Sequence, residues 1–257
     1  MGSKTKIRAI DLRKEFGDVV AIDCLNLEIK ENEFAVVVGP SGCGKSTLLY
    51  LIAGFEKPTS GKILLNDEVI RGPGPDRGFV FQEFMLYPWK NVLSNIMFGL
   101  EIQGIPKKEA REKAMFYVRM IGLEGFEDKY PHELSGGMKQ RVGIARALAY
   151  DPEVLLMDEP FGALDAQTKK IMQGELLRIW NETKKTVVYV THSVIEAAYL
   201  ADRVFVLTSR PSRLKGIIEI DIPRPRDYTS DEFLDARKKI LDLLEEEVVR
   251  TFREDMR

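Results

Sequence analysis

Nine residues, GPSGCGKST at positions 39–47, decide the fold of this 257-residue chain. They match the pattern G-x-x-x-x-G-K-[ST] and lie between an apolar, strand-like run at 34–38 and a helix-like run at 48–52. Glycine at the fixed positions lets backbone N–H groups curl around a polyphosphate, because no Cβ stands in the way. The start of the following helix directs its partial positive charge at the same anion. The stretch therefore predicts a phosphate-binding loop and a nucleoside triphosphate site.

The side chains of this loop have separate expected roles. Lys45 is expected to neutralise the β- and γ-phosphates, Ser46 to offer its hydroxyl to Mg²⁺, and Thr47 to support the same cluster. The alternative, a glycine-rich turn without a ligand, leaves the flanking strand and helix unexplained. The candidate nucleotide-binding residues of the loop are Gly39, Pro40, Ser41, Gly42, Cys43, Gly44, Lys45, Ser46 and Thr47.

Composition narrows the class of protein. The 38 Lys and Arg residues nearly balance 40 Asp and Glu, so a formal net charge of −2 provides no basic field for nucleic acid. Cys24 and Cys43 are far apart, and a disulfide at Cys43 would obstruct the loop, so we expect reduced thiols and a cytosolic chain. The first residues lack the apolar core of a signal peptide, and no apolar run approaches the ~20 residues that span a bilayer. Any membrane role is therefore expected to depend on a partner.

Hydrophobic periodicity separates strand-rich from helix-rich parts of the chain. Residues 6–30 alternate like two strands joined by a turn at Gly17-Asp18, which predicts an antiparallel layer. From 83 to 151 the apolar spacing becomes helical, which predicts a separate helical lobe. Strand patterns then return, and residues 231–252 follow the period of an amphipathic helix. The expected fold class is α/β.

Polar residues follow two buried strand patterns in the second half of the chain. Asp158 and Glu159 come directly after the apolar run 154–157, and His192 follows the run at 186–190 and Thr191. Open α/β sheets bind ligands at the carboxyl ends of their strands. We expect Asp158 to hold Mg²⁺, Glu159 to act as a general base on water, and His192 to contact the γ-phosphate. Solvated loop acids and a structural histidine are the alternatives.

Three further positions stay undecided on residue patterns alone. Phe16 fits either stacking on adenine or packing in a hairpin core. Gln82 ends the apolar run 78–81, a place where most glutamines are simply solvated. Ser135, in LSGGMKQR at 134–141, fits either an anion site shared with the two following glycines or an ordinary helix cap.

In this order, the motifs resemble the complete motif set of an ATP-binding cassette (ABC) transporter ATPase. They are the phosphate loop at 39–47, Gln82, LSGGMKQR at 134–141, VLLMDEP at 154–160, ALD at 163–165 and His192. The resemblance covers about residues 5–225, and LSGG followed by Gln-Arg is nearly private to that family. It implies ATP and Mg²⁺ as ligands, and a P-loop NTPase (RecA-like) core with an N-terminal antiparallel β layer and an inserted α-helical lobe.

The resemblance also implies a role for each matched residue. Phe16 falls at the adenine-stacking aromatic, Gln82 at the lobe-linking glutamine, and Asp165 at the dimer-contact aspartate. The implied catalytic residues are Glu159, His192 and Gln82, and the implied metal ligands are Ser46, Gln82 and Asp158. A second copy of the chain is implied to contact the ATP through Ser135, Gly136, Gly137, Gln140 and Asp165.

Partners and boundaries follow from the same resemblance. Two copies are expected to sandwich two ATP molecules, and hydrolysis is expected to open the dimer and move transmembrane permease subunits. A solute-binding protein is an indirect partner, nucleic acid is not a partner, and the expected location is peripheral, on the cytoplasmic face of the membrane. The single ABC ATPase domain, 1–257, is expected to contain a core at 5–85 and 152–225, a helical lobe at 86–151 and a C-terminal helix at 226–257.

Finer features are similar to the nitrate/sulfonate/taurine branch of bacterial importers. They are LYPWKN at 86–91, SRPSR at 209–213 and IDIPRPR at 220–226. Sugar and polyamine importers usually carry a β-rich regulatory domain after the cassette, whereas this sequence ends with one helix. The branch implies import of a small anion or a sulfonate-like solute.

Other nucleotide-binding classes explain less of the sequence. A kinase or GTPase would share the phosphate loop, but the guanine signature N-K-x-D is missing and neither class explains LSGG. DNA-repair ATPases interrupt the same head with long coiled coils, and translation-factor cassettes are doubled within one chain; neither heptads nor repeats are found here. A module that uses ATP only to join two copies would not need Glu159 and His192.

Overall fold

A computed structural model describes residues 4–162 and 164–255, with side chains up to residue 247. Ala163 of the ALD stretch and residues 256–257 of the expected C-terminal helix lie outside this description. The chain divides into two compact units, one built from residues up to Gly74 and from Thr186 onward, the other from Pro75–Lys185. The expected helical lobe at 86–151 falls within the second unit, and its boundaries remain a prediction.

Strands and helices alternate along much of the chain. The strands are β1 Thr5–Phe16, β2 Val19–Lys30, β3 Phe34–Val38, β4 Ser60–Leu65, β5 Glu68–Val69, β6 Arg77–Val80, β7 Val154–Asp158, β8 Thr186–Thr191, β9 Arg203–Leu207 and β10 Leu214–Glu219. The helices are α1 Lys45–Ala53, α2 Val92–Ile102, α3 Lys107–Met120, α4 Gly136–Ala149, α5 Ala166–Thr183, α6 Val194–Leu200 and α7 Asp231–Asp255, with a 3₁₀ turn at Pro131–Glu133.

An antiparallel sheet in the order β2-β1-β4-β5 forms one layer of the first unit. Phe16 pairs with Val19, which closes the β1–β2 hairpin at the expected turn. Gly17 in that turn has a φ of +57°, a conformation that glycine adopts without the penalty of a Cβ. Ile7 and Ala9 alternate along β1, and Leu12 follows a register shift after Ala9; all three are buried, so this strand packs in the core.

The central strands of the first unit are parallel. β3 pairs with β8 on one side and with β9 on the other, and β10 adds an antiparallel edge next to β9. Every residue of β3 and β8 is buried, which explains why both read as continuous apolar runs rather than as alternating ones. The phosphate loop begins directly after Val38, the last residue of β3, at the carboxyl edge of this sheet.

The C-terminal helix α7 belongs to the first unit and contacts α6, β9 and β10. Its buried residues Phe233, Ala236, Ile240 and Leu244 are spaced by three and four positions, as expected for one face of an amphipathic helix. The predicted helix over the tail is therefore present, beginning at Asp231.

The second unit combines a parallel strand pair with helices. β6 pairs with β7, with Val80 opposite Met157, and helices α2, α3 and α4 pack on one another. The predicted α/β class, with an antiparallel sheet, parallel strands and a helical part, is confirmed. Within the described ranges, none of the helices combines the length and apolar character that crossing a bilayer requires.

Candidate functional site

The phosphate loop has the backbone conformation that its glycines predict. Gly42 and Gly44 have φ values of +71° and +111°, a region that residues with a Cβ rarely adopt. Gly44 is the N-cap of α1 and provides no side-chain acceptor, so the first N–H groups of the helix remain directed toward the loop. A strand, a glycine turn and a helix N-terminus therefore follow one another here, which is the arrangement that binds phosphate.

Lys45 is buried inside this loop. Its ammonium donates hydrogen bonds to the carbonyl oxygens of Gly39 at 2.9 Å and Pro40 at 2.8 Å. The neighbouring Cys43 is also buried, with its Sγ 4.0 Å from the Lys45 Nζ. Burial raises the pKa of the Cys43 thiol, and the nearby Lys45 charge opposes that rise. The loop thus holds one cation and a neutral thiol.

Phe16 lies at the end of β1 with 47% of its surface exposed. The Lys14 ammonium lies 4.6 Å from the centre of its ring. A ring with this exposure is not a buried hairpin core residue, and stacking on adenine stays a prediction.

His192 leaves the sheet next to the phosphate loop. Val38 of β3 is paired with Thr191 of β8, so the following residues, Gly39 and His192, emerge from neighbouring strands at the same edge. Strands in a sheet lie ~4.8 Å apart, which brings the two segments close together. His192 is exposed, whereas the preceding Thr191 is buried and donates its hydroxyl to the buried Glu196 at 2.6 Å. The hydrogen bond from Thr191 to Glu196 therefore holds the end of β8, directly before His192.

In the second unit, β7 carries the two acidic candidates. Asp158 is its last residue and is 4% exposed, and Glu159 follows with partial exposure. Glu159 has a φ of +42°, which is uncommon for a residue with a side chain and costs free energy. Strained backbone of this kind is found preferentially at functional sites, where the surrounding structure holds it in place.

Gln82 lies beside Glu159. Val80 of β6 is paired with Met157 of β7, so the chain segments that lead to Gln82 and Glu159 leave adjacent strands. A Cβ built on Gly162 would lie 3.7 Å from the Gln82 Nε2 and 3.9 Å from the Glu159 Cβ. The structure thus brings Gln82, Glu159 and Gly162 together within the second unit.

The LSGG stretch forms the start of α4. Ser135 is the exposed N-cap, and its hydroxyl accepts from the Met138 N–H at 3.3 Å. Gly136 and Gly137 are the first two helical residues, where backbone N–H groups lack intrahelical partners. Ser135 is therefore the helix cap of the simpler alternative, and the same helix end retains N–H groups suited to an anion.

Asp165 caps the next helix. Its carboxylate accepts from the backbone N–H groups of Thr168 at 3.0 Å and Gln167 at 3.1 Å. The Thr168 N–H, together with the Thr168 hydroxyl and the Gln167 N–H, holds the pKa of the exposed Asp165 below its ordinary value. The side chain is therefore an ionised cap of α5 as well as the expected dimer contact.

Gln140 requires a correction. It is completely buried in α4, so its side chain is not presented to a second chain as the expected trans contact with ATP requires. The helical period explains why Gln140 is buried. Gln140 shares a face of α4 with Gly136 and Gly143, and Cβ atoms built on both glycines would lie 3.7 Å from Phe84. The pattern of charged and polar letters in GGMKQR does not reveal which face of the helix is buried.

Two residues that the sequence did not single out hold the segment after Gln82. Asn95 is completely buried and accepts from the Tyr87 N–H at 2.9 Å, while its amide donates to the carbonyls of Tyr87, Lys90 and Asn91. Arg146 donates to the Met85 carbonyl at 2.7 Å. The available signal was an asparagine within the apolar stripe of α2, which indicates a buried polar contact.

The comparisons with known proteins agree with this geometry. A profile of the ABC transporter family matches residues 22–162. An uncharacterized ABC transporter ATP-binding protein of Methanocaldococcus jannaschii is 59% identical over 254 residues, covering 97% of this chain and 95% of that protein. A nitrate import ATP-binding protein of Synechocystis is 50% identical over 217 residues (83% and 82% covered), and an aliphatic sulfonates import ATP-binding protein of Bacillus licheniformis is 46% identical over 230 residues (90% and 89% covered).

A solved structure shows the same similarity. A dimeric ATP-binding cassette in a post-hydrolysis state, bound to ADP and phosphate, superposes with a TM-score of 0.73 at 32% identity, covering 84% of this chain and 100% of that one. The fold and the phosphate loop define a P-loop nucleoside triphosphatase. With the family match and these identities, the chain belongs to the ABC transporter family, as one of its ATP-binding cassette ATPases.

Proposed function

We propose that this chain is the ATP-hydrolysing subunit of an ABC importer for a small anion, such as nitrate or a sulfonate. Relatives named as nitrate and sulfonate import ATP-binding proteins cover most of its length at 46–50% identity. The observation that carries the proposal is the placement of the polar residues at strand ends. Gly39 and His192 leave adjacent strands in one unit, and Gln82 and Glu159 leave adjacent strands in the other.

Nucleotide binding is assigned to the phosphate loop and Phe16. The Lys45 ammonium exchanges its bonds to the Gly39 and Pro40 carbonyls for phosphate oxygens when ATP enters, so that its charge stays satisfied throughout. The loop N–H groups and the N-terminus of α1 hold the remaining phosphate charge. The exposed face of Phe16 stacks on adenine.

The side chains proposed as metal ligands carry oxygen donors, which suit Mg²⁺. This ion prefers oxygen ligands and usually takes only one or two from the protein, with phosphate and water supplying the rest. Ser46 offers a hydroxyl at the start of α1, Asp158 offers a buried carboxylate at the end of β7, and Gln82 offers an amide oxygen. The bound ion would neutralise charge that develops on the phosphates.

Hydrolysis is assigned to Glu159, with His192 and Gln82. Glu159 would accept a proton from the attacking water, His192 would contact the γ-phosphate, and Gln82 would offer its amide oxygen to Mg²⁺. The left-handed backbone at Glu159 directs its side chain independently of the strand that precedes it. The expected contribution of a positioned base is about 10²–10⁴ in rate.

A second copy of the chain is the first partner. Ser135, Gly136 and Gly137 present the N-terminus of α4 to the γ-phosphate held by the other copy, and Asp165 contacts that copy at the interface. Two ATP molecules are thereby shared in a two-fold dimer, which opens after hydrolysis. Gln140 is not included, because it is buried.

Transmembrane permease subunits are the second partner, and a solute-binding protein is an indirect one. A cleft of about 650 Å³ is lined by Gln82, Glu83, Phe84, Met85, Leu86, Pro131, Lys139 and Gly162. Met85 in this lining is 55% exposed, and Trp89, four positions further along the chain, is 71% exposed, so large apolar side chains are accessible to a partner here. We assign this surface to a permease helix, which places the chain peripherally on the cytoplasmic face of the membrane.

The function is tested with Glu159→Gln, which keeps the size of the side chain but cannot accept a proton. ATP turnover is expected to fall about 10²–10⁴-fold with little change in ATP affinity. The variant should also accumulate as a dimer with MgATP in size-exclusion chromatography, since both copies still hold the uncleaved γ-phosphate. Glu153→Gln, an exposed glutamate just before the same strand, is the matched control and should hydrolyse ATP normally.

Adding Ser135→Arg to Glu159→Gln tests dimer formation separately from ATP binding. The added bulk and charge at the N-terminus of α4 should abolish the ATP-dependent dimer while each chain still binds ATP through its own phosphate loop. Wild-type turnover by Glu159→Gln would refute the catalytic assignment. A Glu159→Gln chain that stays monomeric with saturating MgATP would refute the shared-nucleotide dimer.

A further inference from the structure

A carboxylate occupies a buried position of the C-terminal helix. The apolar face of α7 runs through Ile240 and Leu244, and the next position on that face is Glu247, which is only 7% exposed. Burying a carboxylate is costly unless it is paired and hydrogen-bonded. An apolar residue at this position would pack α7 better than a carboxylate does. The role of Glu247 must therefore be sought in its polar contacts.

Glu247 is held by Ser209, which follows β9, and by Lys215 of β10. Its Oε2 accepts from the Ser209 N–H at 2.9 Å and from the Ser209 hydroxyl at 3.2 Å, and its Oε1 lies 3.0 Å from the Lys215 ammonium. Burial by itself would raise the pKa of Glu247, but the Ser209 N–H and the Lys215 ammonium outweigh it and hold the pKa below the ordinary 4.5. The side chain is therefore an ionised clamp on Ser209.

Ser209 belongs to a tightly bonded turn between β9 and β10. The Thr208 hydroxyl accepts from the Arg213 N–H at 2.9 Å and donates to the carbonyls of Ser209 and Pro211. The Thr208 N–H also donates to the Arg213 carbonyl at 2.9 Å. Because these bonds connect both ends of the turn, a displacement of Ser209 would move the whole segment at 208–213.

The phosphate loop packs against this turn. The Ser212 N–H donates to the Ala21 carbonyl at 2.9 Å, and a Cβ built on Gly44 would lie 3.2 Å from that same oxygen and 3.7 Å from the Ser212 Cβ. A Cβ built on Gly39 would lie 3.3 Å from the Cβ of Leu207, where the turn begins. Two fixed glycines of the phosphate loop are thus in contact range of the segment that Glu247 holds.

The charge of Glu247 also reaches the loop. Burial is the main cause that raises the pKa of the Cys43 thiol, and the Glu247 carboxylate adds to it. Cys43 is one of the nine loop residues, so an electrostatic effect of α7 is felt within the nucleotide site itself.

Building on the function proposed above, we propose that Glu247 is a positioning residue for the phosphate loop. By holding Ser209 it fixes the turn at 208–213 against Gly39 and Gly44, and helix α7 thereby sets the affinity of the loop for ATP. A partner that moves α7 would then regulate nucleotide binding without touching the nucleotide.

The test compares two neighbouring glutamates that both pair with Lys215. Glu246 lies 2.8 Å from the Lys215 Nζ, but its side chain is 80% exposed, so Glu246→Gln removes only a surface ion pair. Glu247→Gln keeps an acceptor for Ser209 and loses the charge, and Glu247→Leu removes both. Each variant is titrated calorimetrically with the magnesium complex of a non-hydrolysable ATP analogue, below its melting temperature, and kcat and KM for ATP are measured in parallel.

Affinity for the analogue should be unchanged in Glu246→Gln, about threefold weaker in Glu247→Gln and about tenfold weaker in Glu247→Leu, the size of effect that mutations along a network between two sites have. KM should rise in the same order while kcat stays within about twofold. Should Glu247→Leu fail to fold, Glu247→Gln against Glu246→Gln decides the question.

Equal affinity in Glu247→Gln and Glu246→Gln, or a loss confined to kcat, would show that Glu247 does not position the loop. Absence of hydrolysis by the wild-type chain would refute the proposed function instead, and the analogue titration would still report on Glu247.

Discussion

Gln140 belongs to a motif that is expected to contact a second chain, but its own side chain is buried. Both polar atoms of its amide are buried and lack a hydrogen-bond partner among the residues that the structure describes. Its helical neighbours Gly136 and Gly143 face Phe84, and Gly137 faces Thr168. The amide therefore lies on a buried face of α4, where an unpaired polar group is costly.

We expect Gln140→Leu to stabilise the folded chain. Replacing an unpaired buried amide with an apolar group of similar size should raise the free energy of unfolding by about 1–3 kcal/mol. The melting temperature should rise by about 2–4 °C for each kcal/mol gained. Gln173→Leu is the control, because Gln173 is equally buried but has an interaction partner, and it should not gain stability. A lower melting temperature for Gln140→Leu would mean that the amide is engaged after all.

At the scale of elements, the strand ends decide which side chains meet. Parallel pairing of β3 with β8 and of β6 with β7 sends the following residues out at one edge of each pair. Helix termini complete the arrangement, since Gly44 caps the start of α1 and Gly136 is the first residue of α4, which leaves the N–H groups there accessible to an anion. Strand registers and helix starts therefore organise the candidate site more than any single side chain does.

The attachment of α7 to its unit should depend on pH through Glu247. Its pKa in the folded chain is held below the ordinary 4.5, so its contribution to stability is present above about pH 4.5 and is lost as the pH falls through the folded-state value. The facing groups are Lys215 on β10, Ser209 on the turn, and the adjacent Glu246.

Urea unfolding of wild type and Glu247→Gln is expected to differ by about 1.5–3 kcal/mol near pH 7, the range for hydrogen bonds to a charged group. The difference should shrink once the pH falls below about 4.5. Glu246→Gln should follow wild type throughout. A difference between wild type and Glu247→Gln that stays constant down to pH 3 would show that the charge of Glu247 does not contribute.

For the whole molecule, the exposed apolar surface around Met85 and Trp89 is the proposed docking surface for the transmembrane subunits. Asn95 and Arg146 hold the backbone of this segment, so the exposed side chains are presented on a rigid support. Rigid, apolar and accessible side chains are typical of protein interfaces.

A cysteine at Met85 should therefore cross-link to the permease. With Cys24→Ser as background, Met85→Cys is expected to form an adduct with the proposed transmembrane subunits when they are co-expressed. Glu112→Cys, an exposed position on α3, should form none. Transport that persists while Met85→Cys gives no adduct would place the docking surface elsewhere.

The phosphate loop, the apolar strands beside it and the family are all predictable from the amino-acid sequence. These signals are local, because a glycine pattern, a run such as FAVVV and the LSGG motif each report on the residues that contain them. The fold class followed from the same periodicities and is confirmed.

Which side chains are buried, and what they contact, depends on how the whole chain packs. Periodicity shows that a helix has a buried face, but the partner of that face comes from a distant part of the chain. Glu247 holds Ser209 across 38 positions, Arg146 holds Met85 across 61, and Gln140 turns inward although its neighbours in the motif are polar. Burial and hydrogen bonding depend on what the packed chain places opposite each residue, and that information is not local in sequence.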